Sequence, residues 1–468
     1  MMNFTKRLGL ILVLCAAALG AQTLTPEMKR KVVEDVTRVI EEKAFVPGLD
    51  MDAWTTHVEK HRKDLDDATT HDAFAKGLNK ACKEFGISHL NVRTPDQEKR
   101  RTTRQGAGFG IRVANGDKVL HVIEVNPNGP SVGKGIDAGD DIVLVDGKVP
   151  EEIEDLQGDV GTKATLRVRK PDGTEVDLEL ERKSFSLDRP DTLVWIDDES
   201  AVLKIHTFMQ GYKRDVIAGL AKEAAKAKYL VVDLRGNGGG QVSNLRHLLG
   251  FFLPSGTAVG AFIGRNVVKQ FVEAGKGDGK DPAAVAAWSP RKFRTDRNQN
   301  PVITARVAVL TDRGSASASE ITSAALRDIL DAPLVGTPTA GAVLASTYER
   351  IESGYSVQYP ASDYITVKGR RLEKQPLVPD IDLSPASRPA SRGATASRPR
   401  PLATRPSEDA TVTKAIALLR TREPKPDPSL TASRPAPLAG GDDAGDETPE
   451  SRPRRAPASR PARRRGGD

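Results

Sequence analysis

The sequence predicts a multidomain chain of mixed α and β structure: helices first, then a small β-rich domain, an alternating α/β domain and a tail. Three observations support this prediction. The chain has 468 residues, which is more than one ordinary domain contains. The spacing of its apolar residues changes from a helical period to a strand period and then to an alternation of both. From residue 384 onward the composition is mostly Ser, Arg, Pro and Ala, which cannot bury a core.

The net charge of +7 comes entirely from the end of the chain. Residues 383–468 contain 17 Lys and Arg against 10 Asp and Glu, and the rest of the chain carries 53 charges of each sign. The part expected to fold is therefore charge-balanced. It offers no basic surface of the kind that binds nucleic acid, and we expect no nucleic-acid partner.

Residues 1–21 resemble an export signal. Lys6 and Arg7 precede an apolar stretch at 8–19 that is too short to span a membrane, and small residues follow it. We expect removal of this segment, no integral membrane span afterwards, and a periplasmic or extracellular location. Leu14 is too bulky for lipid attachment at Cys15, so no lipid anchor is expected. Only Cys82 then remains, which excludes an intrachain disulfide and a cysteine zinc cluster.

Residues 24–100 have a helical pattern. Apolar stripes beside charged faces predict helices at about 28–43, 51–65 and 70–85. His57 and His61 stand four apart, as metal ligands can. The residues between them do not match the His-Glu-x-x-His order, so a solvated helix face is the favoured interpretation, and no metal is expected.

Residues 106–185 change to short β-like runs separated by Gly, Asp, Asn and Pro. Strands are predicted near 108–113, 119–125, 141–145, 164–168 and 176–180, with a hairpin turn at 170–174. This pattern is typical of a small β-rich domain.

Residues 193–383 alternate between strand and helix, which predicts an α/β domain. Its strands are expected near 201–206, 229–234 and 305–311. The polar segment 270–300 is expected to be a long surface loop. The tail at 384–468 is predicted to be disordered, except for a short helix at 407–420 that docks back onto the folded part.

A serine-rich turn lies between a buried strand and a helix in this α/β domain. The turn is Gly314-Ser-Ala-Ser-Ala-Ser-Glu320, after the strand at 305–311 and before apolar residues at helical spacing in 321–330. A hydroxyl at a helix N-terminus is exposed, and the helix dipole favours developing negative charge there. The turn can therefore present a nucleophilic serine. A simple serine N-cap is the alternative.

A glycine loop forms the second chemical signal. Residues 229–240 (Tyr-Leu-Val-Val-Asp-Leu-Arg-Gly-Asn-Gly-Gly-Gly) predict a strand that enters this loop, and a helix is expected at 241–252. Backbone N–H groups of such a loop can converge on an anion. Gln241 breaks the dinucleotide fingerprint and no Gly-Lys-Ser/Thr follows, which weakens the phosphate interpretation. The alternative is an oxyanion hole.

The two motifs together resemble those of the C-terminal (tail-specific) processing proteases and their tricorn-like relatives. The matching segments are 233–240 and 314–320. The resemblance implies a ClpP/crotonase-like α/β protease core in which Ser317 is the nucleophile. It also implies an oxyanion hole formed by the loop around Gly239 and the N–H of Ala318.

The β-rich domain is similar to a PDZ domain. Residues 135–147 are similar to a late turn and strand of that fold, and the carboxylate-binding loop corresponds to Gly108, Phe109, Gly110 and Ile111. The resemblance implies that this loop binds peptides by strand addition and carboxylate capture. A purely structural β edge is the alternative.

The sequence departs from the serine–lysine type of these proteases at Ala342. That type carries its lysine base 25 residues after the nucleophile, where this chain has an alanine, which cannot accept a proton. The tricorn-like branch uses a histidine instead, and Ser88 and His89 resemble its Ser-His pair. Glu373 falls on the acidic position of that branch. The resemblance implies His89 as base and then acid, with Glu373 and Ser88 orienting it. Structural roles for His89 and Glu373 are the alternatives.

The expected function is an exported serine endopeptidase that cleaves protein or peptide substrates through an acyl-enzyme, without a metal or organic cofactor. Two alternatives stay open: an inactive homologue that acts as a peptide-binding scaffold, and a non-proteolytic hydrolase or lyase on a similar core. The tail is expected to be a solvated spacer, or else an anion-binding segment through its arginine clusters. The sequence predicts no oligomeric state.

Overall fold

The structure of the protein is a computed structural model that describes residues 24–151, 153–296, 303–384 and 409–422. The predicted export signal, Cys15 and most of the Ser/Arg/Pro/Ala-rich tail lie outside the described residues.

The N-terminal region is helical. Its helices and one strand are α1 (Pro26–Lys43), α2 (Trp54–Lys60), α3 (Arg62–Asp67), α4 (His71–Phe85), β1 (Asn91–Arg93) and α5 (Pro95–Thr103), with a 3-10 turn at Met51–Ala53. The predicted second helix is divided into α2 and α3, and His61 lies between them as the C-cap of one and the N-cap of the other. Buried side chains of these helices, such as Trp54 and Phe74, share one core with Tyr355 and Val357 of the α/β domain. The N-terminal region therefore packs as part of that domain.

The β-rich domain contains seven strands and a 3-10 turn at Ile153–Leu156. The strands are β2 (Gln105–Gly108), β3 (Ile111–Asn115), β4 (Leu120–Val125), β5 (Asp141–Val145), β6 (Lys163–Arg169), β7 (Glu175–Glu181) and β8 (Lys183–Ser186). Strands β3 to β7 form an antiparallel sheet in chain order, and β2 pairs with β8. Because β3 pairs only with β4 among the described residues, its other edge is open.

The six-stranded sheet carries the glycine loop and the serine-rich turn. Its strands, in spatial order, are β18 (Ile381–Asp382), β15 (Leu334–Gly336), β14 (Arg306–Thr311), β11 (Tyr229–Asp233), β10 (Ser200–Lys204) and β9 (Thr192–Trp195). All neighbours are parallel except β9 and β10. The carboxyl ends of β11 and β14 therefore lie side by side, and each motif follows one of them.

Helices cover both faces of this sheet. They are α6 (Arg214–Ala224), α7 (Val242–Leu249), α10 (Ala318–Leu330) and α11 (Ala410–Thr421). Along β11 the side chains alternate: Leu230 and Val232 face the core with α6, α7 and α10, whereas Val231 faces α11. A short helix from the tail thus completes the second face.

A second sheet joins the N-terminal helices to the rest of the α/β domain. Its strands and the two adjacent helices are β12 (Ala258–Gly264), α8 (Arg265–Glu273), α9 (Pro282–Trp288), β13 (Phe293–Arg294), β16 (Ala345–Arg350) and β17 (Ser356–Thr366). Strand β1 pairs antiparallel with β17. The prediction of a long surface loop at 270–300 was wrong for the described residues of that segment, because Phe271 and Val285 bury themselves on this sheet and fix α8 and α9.

The segment between β15 and β16 crosses from the first sheet to the second. The motif residues of the first sheet and the Ser88–His89 pair that precedes β1 therefore converge near this crossing. No helix within the described residues combines the length and apolar character that a membrane crossing requires.

Candidate active site

The serine-rich turn is tied to the glycine loop by side-chain hydrogen bonds. The Asp312 carboxylate accepts from the N–H groups of Gly236 and Gly314 at 2.8 and 2.9 Å. The Ser315 hydroxyl donates to the carbonyl of Leu234 at 2.9 Å. Further along, the Ser319 hydroxyl donates to the Asn237 carbonyl at 2.8 Å. The two motifs therefore form one rigid unit at the edge of the sheet.

Ser317 is the N-cap residue of α10, with φ 55° and ψ −116°. Few non-glycine residues adopt this conformation, and strained backbone is common at functional sites. Its N–H donates to the Ala342 carbonyl at 2.9 Å and to the Glu320 carboxylate at 3.1 Å. Its hydroxyl is half-buried. Ser317 and Glu320 form a capping box at the start of α10, and the hydroxyl is thus presented at a helix N-terminus.

Gly239 lies directly against the nucleophile turn. A Cβ atom added at Gly239 would come within 2.7 Å of Ser317 Cβ and 2.9 Å of Ala318 N, and its φ of +89° also favours glycine. Only a residue without a side chain fits this position. The close approach of the two backbones leaves room for a carbonyl oxygen beside them.

The N–H groups around this space differ in availability. The N–H of Gly239 donates to Asn237 Oδ1 at 2.9 Å, and the Asn237 amide is itself held by the Ile205 carbonyl. The Gly239 carbonyl accepts from Phe208 N. Because the peptide is trans, the N–H of Gly240 points the opposite way. In the described residues, neither the N–H of Gly240 nor that of Ala318 has a hydrogen-bond partner.

Ser88, His89 and Glu373 form a hydrogen-bonded relay. The Ser88 hydroxyl donates to Glu373 Oε2 at 2.9 Å, and it lies 2.8 Å from His89 Nδ1. The Ser88 N–H also donates to Glu373 Oε1 at 3.1 Å. Glu373 is 3% exposed, and His89 has a φ of 59°. The three residues that sequence reasoning grouped therefore lie together.

The relay fixes which nitrogen of His89 can accept a proton. The Ser88 hydroxyl has one proton, which it gives to the carboxylate, so it can only accept from His89 Nδ1–H. The neutral ring then carries its lone pair on Nε2, as a general base requires. Burial lowers the pKa of His89, and the Glu373 charge opposes part of that decrease. Burial therefore favours the neutral form of the ring, which is the form that can accept a proton.

Two contacts connect the relay to Ser317. The N–H of Val343 donates to Glu373 Oε2 at 3.0 Å, and the neighbouring Ala342 carbonyl accepts from Ser317 N. The Ala342 methyl group supplies no base. Within the described residues, no hydrogen bond joins the Ser317 hydroxyl to the His89 ring, and this segment makes hydrogen bonds to both the relay and the Ser317 backbone.

The predicted peptide loop of the β-rich domain is tightly built. Phe109 is buried in that domain's core, and its carbonyl accepts from the Ser131 hydroxyl at 2.6 Å. Gly110 has a φ of +72°, and a Cβ there would lie 2.6 Å from Gly129 Cα. Gly108 has a φ of +122°, and Ile111 begins the open-edged strand β3. The Phe109 side chain is therefore part of the core, and the backbone of the loop is what a ligand could contact.

His57 and His61 do not form a metal site. The His57 ring packs against Phe85 edge-to-face, with a centroid distance of 5.4 Å, and His61 Nε2 lies 2.9 Å from the Glu84 carboxylate. The expectation of a solvated face was incomplete, because both side chains are partly buried. Among the described residues, no group of three or more His, Cys, Asp or Glu could hold a metal ion.

Sequence reasoning missed three residues of this site: Asn237, Gly240 and Glu320. Asn237 and Gly240 stand within the glycine motif, but their hydrogen bonds depend on the loop conformation. Glu320 carried a usable signal, since Ser317-x-x-Glu320 has the spacing of a capping box. Its contacts to a distant loop could not be read from that spacing.

Comparisons with known proteins agree with this architecture. A profile described as Peptidase family S41 matches residues 199–383, and a PDZ domain profile matches residues 97–180. The chain is 23% identical over 325 residues to the carboxy-terminal processing protease CtpA of Bacillus subtilis (strain 168), covering 68% of this chain and 64% of that protein.

Two further similarities extend the comparison. The chain is 27% identical over 334 residues to the tail-specific protease of Haemophilus influenzae (strain ATCC 51907 / DSM 11121 / KW20 / Rd), covering 65% of this chain and 45% of that protein. The chain thus spans less than two thirds of the length of these relatives. The solved structure of mature CPAF complexed with lactacystin has a TM-score of 0.51 at 12% identity, covering 76% of this chain and 94% of that one. This last similarity concerns the fold alone.

Proposed function

Because the chain belongs to peptidase family S41 and carries a PDZ domain, we propose that it is an exported serine endopeptidase that acts on protein or peptide substrates. Ser317 is the nucleophile, His89 the general base and acid, and Ser88 and Glu373 orient the histidine. The observation that carries this proposal is the Glu373–Ser88–His89 relay, which leaves Nε2 of His89 free to accept a proton.

In the first step His89 Nε2 takes the proton of the Ser317 hydroxyl as its oxygen attacks the substrate carbonyl carbon. The carbonyl π electrons move to oxygen and form a tetrahedral oxyanion. When the intermediate collapses, the C–N bond breaks and His89 gives its proton to the leaving amine. Water then attacks the acyl-enzyme by the same sequence of proton transfers and releases the acid product.

The oxyanion is stabilised by backbone donors beside the nucleophile. The N–H of Ala318 at the start of α10 is one donor, and the helix dipole adds to it. The loop around Gly239 supplies the other. Because the Gly239 N–H is bonded to Asn237, the N–H of Gly240 is the better placed donor of that loop.

The PDZ domain supplies peptide binding. The loop Gly108–Ile111 and the open edge of β3 can accept a substrate C-terminus through strand pairing and carboxylate capture. Residues 1–21 support export, and cell fractionation with detection of the shortened N-terminus tests that part of the proposal.

Labelling with a fluorophosphonate probe tests the catalytic assignment. The protein should label at Ser317, and both Ser317→Ala and His89→Ala should abolish labelling on the assay timescale. His57→Ala is the matched control, because His57 is another partly buried histidine but lies outside the relay. It should label as the unmodified protein does.

A second candidate function is a peptide-binding scaffold without activity, and the alanine at position 342 favours it. Folded protein that binds C-terminal peptides but neither reacts with the probe nor cleaves an unfolded protein would establish the scaffold and refute the peptidase. Hydrolysis of small esters or thioesters without cleavage of unfolded proteins would indicate a non-proteolytic enzyme instead.

A further inference from the structure

The segment Gly341–Val343 is the structural link between the two halves of the candidate active site. It follows β15 of the first sheet and precedes β16 of the second. Ser317 follows β14 of the first sheet, and the Ser88–His89 pair precedes β1 of the second. The segment therefore lies between nucleophile and base, and we call it the bridging segment.

Glu320 holds the bridging segment against the nucleophile. Its carboxylate is fully buried and accepts four hydrogen bonds. Oε1 accepts from the Thr339 hydroxyl at 2.5 Å and from Gly341 N at 2.8 Å. Oε2 accepts from Ala342 N at 2.9 Å and from Ser317 N at 3.1 Å. Oε2 of Glu320 thus accepts hydrogen bonds from the backbone of the nucleophile and from the bridging segment.

Glu373 holds the other side of the same segment. Its Oε2 accepts a hydrogen bond from the N–H of Val343, the residue next to Ala342, and another from the Ser88 hydroxyl. Lys374 N donates to the Gly341 carbonyl at 2.8 Å. The N–H groups of Gly341 and Ala342 therefore donate to Glu320, and the N–H of Val343 donates to Glu373. Both carboxylates are buried. Glu320 also accepts from the Ser317 backbone, and Glu373 also accepts from the Ser88 hydroxyl beside the base.

We propose that Glu320 is a positioning residue that sets the alignment of the Ser317 hydroxyl with His89 through the bridging segment. The proposal rests on the proposed catalytic roles of Ser317 and His89. Glu320 does not touch the reacting atoms. In this chain, the segment in which lysine-type relatives carry their base serves instead as the connection between two carboxylates.

Only a carboxylate satisfies the four donors around Glu320. An ionised carboxylate has acceptor sites on both oxygens and no proton of its own. A glutamine of the same shape would direct its NH₂ group at two donors. These would be either the N–H groups of Ser317 and Ala342, or the Thr339 hydroxyl and the Gly341 N–H. Buried donors left without an acceptor are costly, so the segment would move away from the helix.

The test is a double-mutant cycle between Glu320→Gln and His89→Ala, with kcat and KM measured on a peptide substrate. Glu320→Gln alone should lower kcat about 100-fold, as expected for a misalignment of about 1 Å, and change KM less than about twofold. In the His89→Ala background it should have almost no further effect, because there is no base left to align.

Multiplicative losses in the double variant would overturn the proposal and leave Glu320 a purely structural residue. If His89→Ala alone kept full activity, the proposed catalytic function would fail first, and the two failures are distinguishable. Ser323→Ala is the matched control: Ser323 is buried on the same helix, but its hydroxyl bonds only the Ser319 carbonyl. It should keep unchanged kinetics.

Thr339→Val provides a milder variant if Glu320→Gln does not fold. It removes one of the four donors to Glu320 and also the acceptor of the Leu377 N–H, and it leaves the other three donors in place. We expect a loss of about 10-fold in kcat that also disappears in the His89→Ala background. A loss of the same size in both backgrounds would refute the positioning role.

Discussion

The protease domain and the PDZ domain use charged side chains in opposite ways. Beside the glycine loop, Arg235 bonds Asp233 and Asp409 with side chains that are 8–12% exposed. On the PDZ hairpin β6–β7, Arg167 pairs with Asp177 at a similar distance, but these side chains are 43% and 52% exposed. The geometry of the ion pairs is alike, and their surroundings differ.

This difference determines what each charge contributes. A buried charge that loses its partner keeps its desolvation cost, so every member of the buried network becomes obligatory. An exposed pair gains little, since water and salt replace either partner. The Glu373–Ser88–His89 relay belongs to the first group, and the surface of the PDZ hairpin to the second. Substitutions in the two regions should therefore differ widely in their effects.

The largest effect is expected for Glu373→Gln. Loss of the charge weakens the orientation of His89, and kcat/KM should fall on the order of 10³-fold. The Glu373 charge raises the pKa of His89 against the effect of burial. Its removal should therefore move the acid limb of the pH–kcat/KM profile to lower pH.

Glu349→Gln is the control for this variant, because Glu349 pairs with Lys43 at 2.6 Å on a partly exposed surface. Its profile should match that of the unmodified protein. An acid limb that stays in place in Glu373→Gln would show that Glu373 does not act on His89.

Asp409→Ala should give the next largest effect. Asp409 is the N-cap of α11, and its carboxylate contacts Arg235 at 2.7 Å, just before the glycine loop. Breaking this buried pair should lower the free energy of unfolding by about 3 kcal/mol in urea denaturation.

The other end of α11 offers the matched control. Asp197 pairs there with Arg420, also at 2.7 Å, but both side chains are exposed. The two ends lie about 18 Å apart along a helix of 12 residues. Asp197→Ala should leave the melting temperature within about 1 °C of the original. Equal losses from both ends would contradict the dependence on burial.

Asp191→Asn should stabilise the protein at neutral pH. Burial raises the pKa of Asp191 to about 6, so the folded state binds its proton more tightly than the unfolded state does. The ionised form therefore costs stability above pH 6, and this cost disappears as the pH falls toward 4. The asparagine should raise the free energy of unfolding by about 2 kcal/mol at pH 7 and by almost nothing at pH 4.

His206 also titrates between pH 4 and pH 7, since burial lowers its pKa to about 4. It is present in the unmodified protein and in the Asp191→Asn variant, so its contribution cancels when their free energies of unfolding are subtracted. Asp198→Asn, at an exposed position of the same region, should change stability at neither pH. A stabilisation by Asp191→Asn that is equal at pH 7 and pH 4 would mean that packing, rather than ionisation, causes it.

Much of the fold follows from local patterns. The strand periods and the glycine turns predict β4 to β7, and the apolar runs at 229–234 and 305–311 predict the two central strands. Helices α8 and α9 were missed because the polar run at 274–281, which lies between them, dominated the interpretation of the segment. The apolar residues on either side of that run, such as Phe271 and Val285, are buried on the second sheet.

The candidate site was predictable where a residue type carries its own chemistry. The serine-rich turn and the glycine loop were visible as motifs, and the assignment of Ser317, His89 and Glu373 depended on resemblance to a family. Glu320 and Asn237 were not assigned, because their roles consist of hydrogen bonds that exist only once the chain has folded. Position 342 shows the same limit: the sequence shows the missing lysine but not the backbone contacts that the segment makes.

The smallest effect is expected for Arg167→Ala in the PDZ hairpin. Both partners of this pair are exposed, and the neighbouring pairs Lys163–Glu179 and Arg169–Glu175 leave the hairpin well supplied with charge. The melting temperature should change by no more than about 1 °C, and peptide cleavage should be unaffected.

Arg182→Ala is the contrasting variant in the same domain, because this buried arginine lies over the Phe109 ring at 4.5 Å and bonds the Leu156 carbonyl. It should lower the melting temperature clearly. If the two arginine variants had equal effects, burial would not be what separates the two uses of charge, and the comparison between the domains would fail.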